Sequence, residues 1–138
     1  MVPRASAVDH GGKVYIAGGN GNNLFRIKVG GAIDELIDAT GDGTNPLTAP
    51  IATVAPAKTR AVVAGLASSN AFEIVSSSNI SQIIDGTGDG VNALLGASDV
   101  AADADRNVAV TGAGSRITPS RSTRAARSPR SSTPRATA

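Results

Sequence analysis

Residues 36–45 read LIDATGDGTN and residues 83–92 read IIDGTGDGVN, so one ten-residue phrase occurs twice at a separation of 47 residues. A fixed period of that size means stacked copies of one supersecondary unit, and it limits the possible folds more than any single segment does. Laid over residues 4–50, residues 51–97 match without a gap. Ala17 and Gly18 fall on Ala64 and Gly65, Asn23, Phe25 and Ile27 on Asn70, Phe72 and Ile74, and Ile33 on Ile80. A third copy opens at Ser98, where Val100, Asp103, Asn107 and the run 108–112 take the places of Ser6, Asp9, Lys13 and 14–18, and it stops near Gly114.

Within the first copy, four short extended runs alternate with turn residues. Residues 5–9 and 13–17 flank His10-Gly11-Gly12, residues 23–29 follow a Gly and Asn loop, and residues 32–37 follow Gly30-Gly31. Runs rich in β-branched residues between such turns read as strands, and the alternation of Leu24, Arg26 and Lys28 with Phe25, Ile27 and Val29 marks a half-buried one. Helical repeats of similar length need an apolar period of about 3.6 residues, which glycine interrupts in every candidate stretch. Four antiparallel strands per repeat is the pattern of a propeller blade. The expected fold is therefore all-β: two four-stranded blades at about 4–50 and 51–97, and part of a third at 98–114. In the second, Pro56-Ala57-Lys58-Thr59-Arg60 replaces the glycine turn, which makes its first hairpin the less secure.

Aromatic residues are only 2% of the chain, namely Tyr15, Phe25 and Phe72, so Ile, Val and Leu must fill the core. The absence of Cys excludes disulfides and thiolate metal sites. No apolar run approaches the roughly 18 residues of a membrane-spanning helix, and residues 1–12 lack the apolar middle of a secretory signal.

Charge divides the chain. Residues 1–114 hold seven Lys and Arg against all eleven acids, whereas residues 115–138 hold six Arg and no acid. Such an Arg, Ser and Pro segment is expected to be disordered, and a basic tail is ordinarily read as a nucleic-acid contact. A different origin can be tested on paper. Written in permitted codons and read two bases later, residues 115–138 spell ANNAFKINPGGTITEIIDATGDG, the missing half of the third repeat in its expected place. The expectation is that the tail arises from a reading-frame shift. Sequencing the coding DNA decides this: a second frame that spells no repeat there refutes it.

The unit VDxxGxVYxAG, NxFxI and GGxIxxIIDxTGDGxN, here residues 8–18, 23–27 and 30–45, resembles NHL-type β-propeller repeats of bacterial proteins, including the variant with an IIDATGDG loop. The resemblance covers residues 3–114. It implies that the first strand of each blade lines a central channel, which would place residues 5–8 and 100–102 there. It also implies a platform for protein or carbohydrate partners, in an exported or cell-surface parent. A non-enzymatic binding or scaffold module, a fragment of a larger ring, is the leading reading. The runner-up is part of an enzyme of the propeller lactonase or streptogramin-lyase kind, which these repeats also resemble. Third comes nucleic-acid binding through the tail, which the frame-shift origin disfavours. A ring closes with about four or more blades, so two and a fraction leave open edges that invite association.

The loop D-x-T-G-D-G-x-N spaces oxygen side chains like the first half of a calcium loop. Asp38, Thr40, Asp42 and Asn45, and again Asp85, Thr87, Asp89 and Asn92, are the candidate ligands, and calcium is the only cofactor suggested. The bidentate acid expected at position 12 is replaced by Ala49 and Gly96. The competing reading, a connecting loop in which Asp and Asn bond their own backbone, is preferred. His10 lacks an acid partner in its turn, the serines at 68–69 and 76–78 lack a base, and Asp9 and Asp103 are expected to cap turns.

Overall fold

The computed structural model describes residues 2–114 and 120–122. Every regular element among them is a strand. Strands β1 (Pro3–Val8), β2 (Val14–Gly18), β3 (Asn23–Ile27) and β4 (Ile33–Ile37) make one antiparallel sheet in chain order. A second sheet follows with β5 (Pro50–Ala57), β6 (Arg60–Gly65), β7 (Asn70–Ser76) and β8 (Asn79–Ile84). The third contains β9 (Ala97–Ala102), β10 (Val108–Gly112) and β11 (Ser120–Ser122). Among the described residues no helix is long and apolar enough to cross a membrane.

The period is built into the hydrogen-bond ladders. Ala5 faces Ala17, Ala52 faces Ala64 and Asp99 faces Thr111, each pair 47 residues beyond the last. Val14 opposite Ile27 becomes Ala61 opposite Ile74, and Leu24 opposite Ile37 becomes Ala71 opposite Ile84. Even the irregularities recur, since one residue is skipped after Pro3, after Pro50 and after Ala97. A slip of one residue would turn every side chain to the opposite face, so matched registers give all three sheets the same two faces.

Those faces stack. On the first sheet Ala5, Ala7, Tyr15, Ala17 and Leu24 pack against Ala55, Ala61, Val63, Phe72 and Ile74 of the second. The second sheet's opposite face, through Ala52, Val62, Ala64 and Ala71, packs against Val100, Val108 and Val110 of the third. Alanines at the first interface leave room for Tyr15 and Leu24 from one sheet and Phe72 and Ile74 from the other, and full burial of a residue such as Phe72 or Ile74 contributes about 1.5–3 kcal/mol. The innermost strands lie side by side, β1 next to β5 and β5 next to β9.

Two expectations need correction, those for the second sheet's first hairpin and for the tail. The second sheet's first hairpin is secure: Ala57 pairs with Arg60 across the two-residue turn Lys58-Thr59. The ladder skips from Val54 to Ala57, around Pro56, which has no N–H to donate. The alternation in β3 resolves with Leu24 fully buried and Phe25 and Ile27 half-exposed. The strands that the resemblance assigns to a channel, β1 and β9 with β5 between them, do lie side by side, and Ala5, Ala7 and Val100 turn their side chains between the sheets. In the basic tail, Ser120–Ser122 forms β11 against β10 where no strand was expected. The rest of residues 115–138, with the readings placed on it, lies outside the described residues.

Candidate functional site

The segment after β4 must carry the chain from the outer strand of one sheet to the inner strand of the next, and the D-x-T-G-D-G-x-N phrase shapes that crossing. Asp38 Oδ1 accepts from the Thr40 N–H (2.8 Å) and the Thr40 hydroxyl (2.6 Å). Asp42 Oδ1 accepts from the N–H groups of Thr44 (2.9 Å) and Asn45 (2.8 Å), and the Asn45 side-chain amide donates to Oδ2 at 3.0 Å. The second loop repeats this: Asp85 takes the Thr87 N–H (2.8 Å), and Asp89 those of Val91 (2.8 Å) and Asn92 (2.6 Å). Gly41 and Gly88 have φ near +65°, and a Cβ on either would fall on the carbonyl oxygen of Asn45 or Asn92. Glycine is required there by geometry.

These bonds govern the acids' protonation. The Thr40 hydroxyl and N–H lower the Asp38 pKa, and the Asn45 side chain and backbone lower that of Asp42. Thr87 does the same for Asp85. The N–H of Asn92, with its side chain and the Val91 N–H, brings Asp89 down to about 2. At neutral pH all four are carboxylates turned toward their own loops.

Each loop ends in a leucine that sequence reasoning missed. Leu47 is fully buried between the first and second sheets, and Leu94 between the second and third. Then comes a repeated splice: the Ala49 N–H donates to Asn22 Oδ1 (2.8 Å) and the Gly96 N–H to Ser69 Oγ (2.9 Å). Outside each loop lies an open cleft. One of about 330 Å³ is lined by Glu35, Asp38, Thr40, Asp42 and Ser77, and one of about 270 Å³ by Gln82, Asp85 and Thr87. The eight candidate ligands thus fall into two separate loops of four. Among the described residues no three or more His, Cys, Asp or Glu gather as a metal-binding group.

The remaining candidates stand in turns. His10 is exposed between β1 and β2. Beside it Asp9 caps the turn, its Oδ1 accepting from the N–H groups of Gly11 (2.8 Å) and Lys13 (3.0 Å) while Oδ2 takes the Tyr15 hydroxyl (3.1 Å). Burial alone would raise its pKa. Those three bonds and the Lys13 charge outweigh burial and lower it. Asp103 plays the same part, accepting from Asn107 N–H at 2.9 Å. The Ser68 hydroxyl donates to Asn70 Oδ1 (2.6 Å), and Ser76 and Ser78 share a bond across the β7–β8 turn. Struts at one position per repeat tie sheet to sheet: Lys13 Nζ donates to the Lys58 carbonyl (2.9 Å), and Arg60 Nη1 to that of Arg106 (2.7 Å).

No family model matches the chain, and no curated protein sequence matches it. Solved structures do. The chain is similar to a catalytically inactive histidine-to-alanine variant of virginiamycin B lyase from Staphylococcus aureus, determined with quinupristin. The TM-score is 0.61 at 16% identity, over 85% of this chain and 40% of that one. It is also similar to a streptogramin B lyase, with a TM-score of 0.59 at 10% identity, over 85% of this chain and 39% of that one. The chain therefore spans about two fifths of the length of these neighbours. Likeness at such low identity speaks to fold alone, and together with the repeated registers and stacked faces it identifies an arc of a β-propeller.

Proposed function

We propose that the chain is part of a larger propeller built from NHL-type repeats and acts as a non-catalytic binding or scaffold module. Its partners would be proteins or carbohydrates, engaged by the complete ring. One observation carries this reading: the acids of both crossing loops accept hydrogen bonds from their own loops, so these carboxylates serve shape. A general acid or base needs a pKa near the working pH and a free line to substrate, and Asp89 at about 2 is far from that.

The neighbours are lyases, and the direct test uses the compound one of them holds. Incubated with quinupristin and followed by mass spectrometry, the purified chain is expected to leave the compound unchanged. Turnover that disappears in His10→Ala would overturn the scaffold reading and make the chain part of a lyase.

A further inference from the structure

Asparagine is a thermolabile residue, and the group that attacks it is the backbone nitrogen of the residue that follows. Of the eight asparagines in the chain, only Asn20 precedes a glycine. Six of the others are bonded through their side chains. Asn22 Oδ1 accepts the Ala49 N–H, and Asn70 donates to the Pro46 carbonyl. Asn23, Asn45, Asn92 and Asn107 donate to Glu35, Asp42, Asp89 and Asp103. Asn79 is followed by Ile80, whose branched Cβ crowds the nitrogen. Asn20 is exposed in the turn between β2 and β3. Among the described residues neither its side chain nor the Gly21 N–H has a hydrogen-bond partner.

Nothing in the turn demands glycine after Asn20. Gly21 lies outside the left-handed region that Gly41 and Gly88 occupy. The atoms nearest to a Cβ built on it belong to the movable Asn23 side chain, at 3.0 Å and beyond. The second repeat builds the same turn with Ala67-Ser68 in place of Asn20-Gly21. What glycine does provide is a backbone nitrogen that no side chain shields. Three Asp-Gly pairs, at 42–43, 85–86 and 89–90, share that feature. Their side chains are carboxylates, poor targets for a nucleophile, and each accepts N–H groups from its own loop.

We propose that Asn20-Gly21 is a self-modification site, at which the Gly21 nitrogen attacks the Asn20 side-chain carbonyl and the residue becomes isoaspartate or aspartate. The new bond joins Gly21 N to Asn20 Cγ. The Cγ–Nδ2 bond breaks, and ammonia leaves with the proton of the former N–H. Water then opens the cyclic imide. Opening at the main-chain carbonyl gives isoaspartate, with the chain rerouted through Cβ and Cγ, and opening at Cγ gives aspartate. The balance needs only water. Either product adds a negative charge to the turn. Isoaspartate also lengthens the main chain by one carbon, two residues before Asn22, whose side chain holds the Ala49 N–H at 2.8 Å. The splice after the first crossing loop is thereby loosened. The free carboxylate of isoaspartate makes the converted turn a substrate for methyltransferases that esterify that group.

The full chain is incubated in mildly alkaline buffer at physiological temperature, beside a mildly acidic control, and digested with trypsin. The fragment 14–26 holds Asn20, Asn22 and Asn23, and tandem mass spectrometry separates them. A synthetic peptide of the same residues sets the timescale. The mass gain of an amide becoming an acid is expected at residue 20, faster at higher pH, while Asn22 and Asn23 stay amides. An isoaspartyl methyltransferase with S-adenosylmethionine should label the same fragment. Asn20→Ser should abolish both signals, and Gly21→Ala should slow them about tenfold or more by misplacing the attacking nitrogen. Both positions lie outside the strands, so the sheets should form in each variant. A chain that stays unchanged while the peptide converts would overturn the proposal. So would a gain that comes first at Asn22 or Asn23, a gain undiminished in Gly21→Ala, or aspartate formed without isoaspartate, which is direct hydrolysis. In the isoaspartate fraction the Ala49 amide should exchange faster with solvent; unchanged exchange would overturn the loosening of the splice.

Discussion

At the scale of single residues, left-handed backbone recurs at equivalent places whatever side chain is there. Ala49 has φ of 50° where Gly96 has 60°, and Arg106 has 65° where Gly12 has 80°. A side chain in that region costs roughly 1–2 kcal/mol, and the extra freedom glycine brings to the unfolded chain offsets about 0.4–1 kcal/mol. Ala49→Gly and Arg106→Gly should therefore each stabilise by about 0.5–1 kcal/mol, read as a raised urea midpoint. Gly41→Ala should do the reverse by about 2 kcal/mol or more, because its Cβ meets the Asn45 carbonyl. The loop acids set the response to pH. Asp89 lies at about 2 against an ordinary 3.8, and Asp38, Asp42 and Asp85 are lowered for the same kind of reason. Folding favours the ionised form of a group whose pKa it depresses, so that contribution is complete above about pH 5 and is lost as pH falls toward about 2. Urea midpoints should fall across that window, with a shallower slope in Asp89→Asn.

At the scale of elements, the crossing loop is a capped connection that ends in a hydrophobic plug. Leu47→Ala and Leu94→Ala each open a cavity between sheets, with an expected loss of about 2–5 kcal/mol. Measured by thermal unfolding, the two should be alike, since the residues hold the same place 47 positions apart. The strands themselves were legible, because alternation and Gly or Asn turns are local signals. So was the turn-shaping role of Asp38, Asp42, Asp85 and Asp89, since their spacing to Thr and Asn is short. The plugs, the splices and the Lys13 and Arg60 struts were not. Asn22 answers to Ser69 and Lys13 to Arg60, so the shared geometry leaves no shared letter. Which face of β3 is buried was also hidden, because an alternating strand defines two faces without saying which one packs.

At the scale of the whole molecule, one sheet-on-sheet interface is used twice among the described residues. Stability in such stacks is a sum of unit and nearest-neighbour terms. The second sheet, covered on both sides, should therefore be the last to open. Residue-resolved amide hydrogen exchange tests the central claim, that a single sheet with one register repeats every 47 residues. The account predicts slow exchange in β2, β3, β6 and β7, with the alternation of slow and fast amides along β6 and β7 reproducing that along β2 and β3 at a displacement of 47, and the higher protection in the second sheet. Protection in the two sheets that bears no relation at that displacement, or a first sheet slower to exchange than the second, would contradict it.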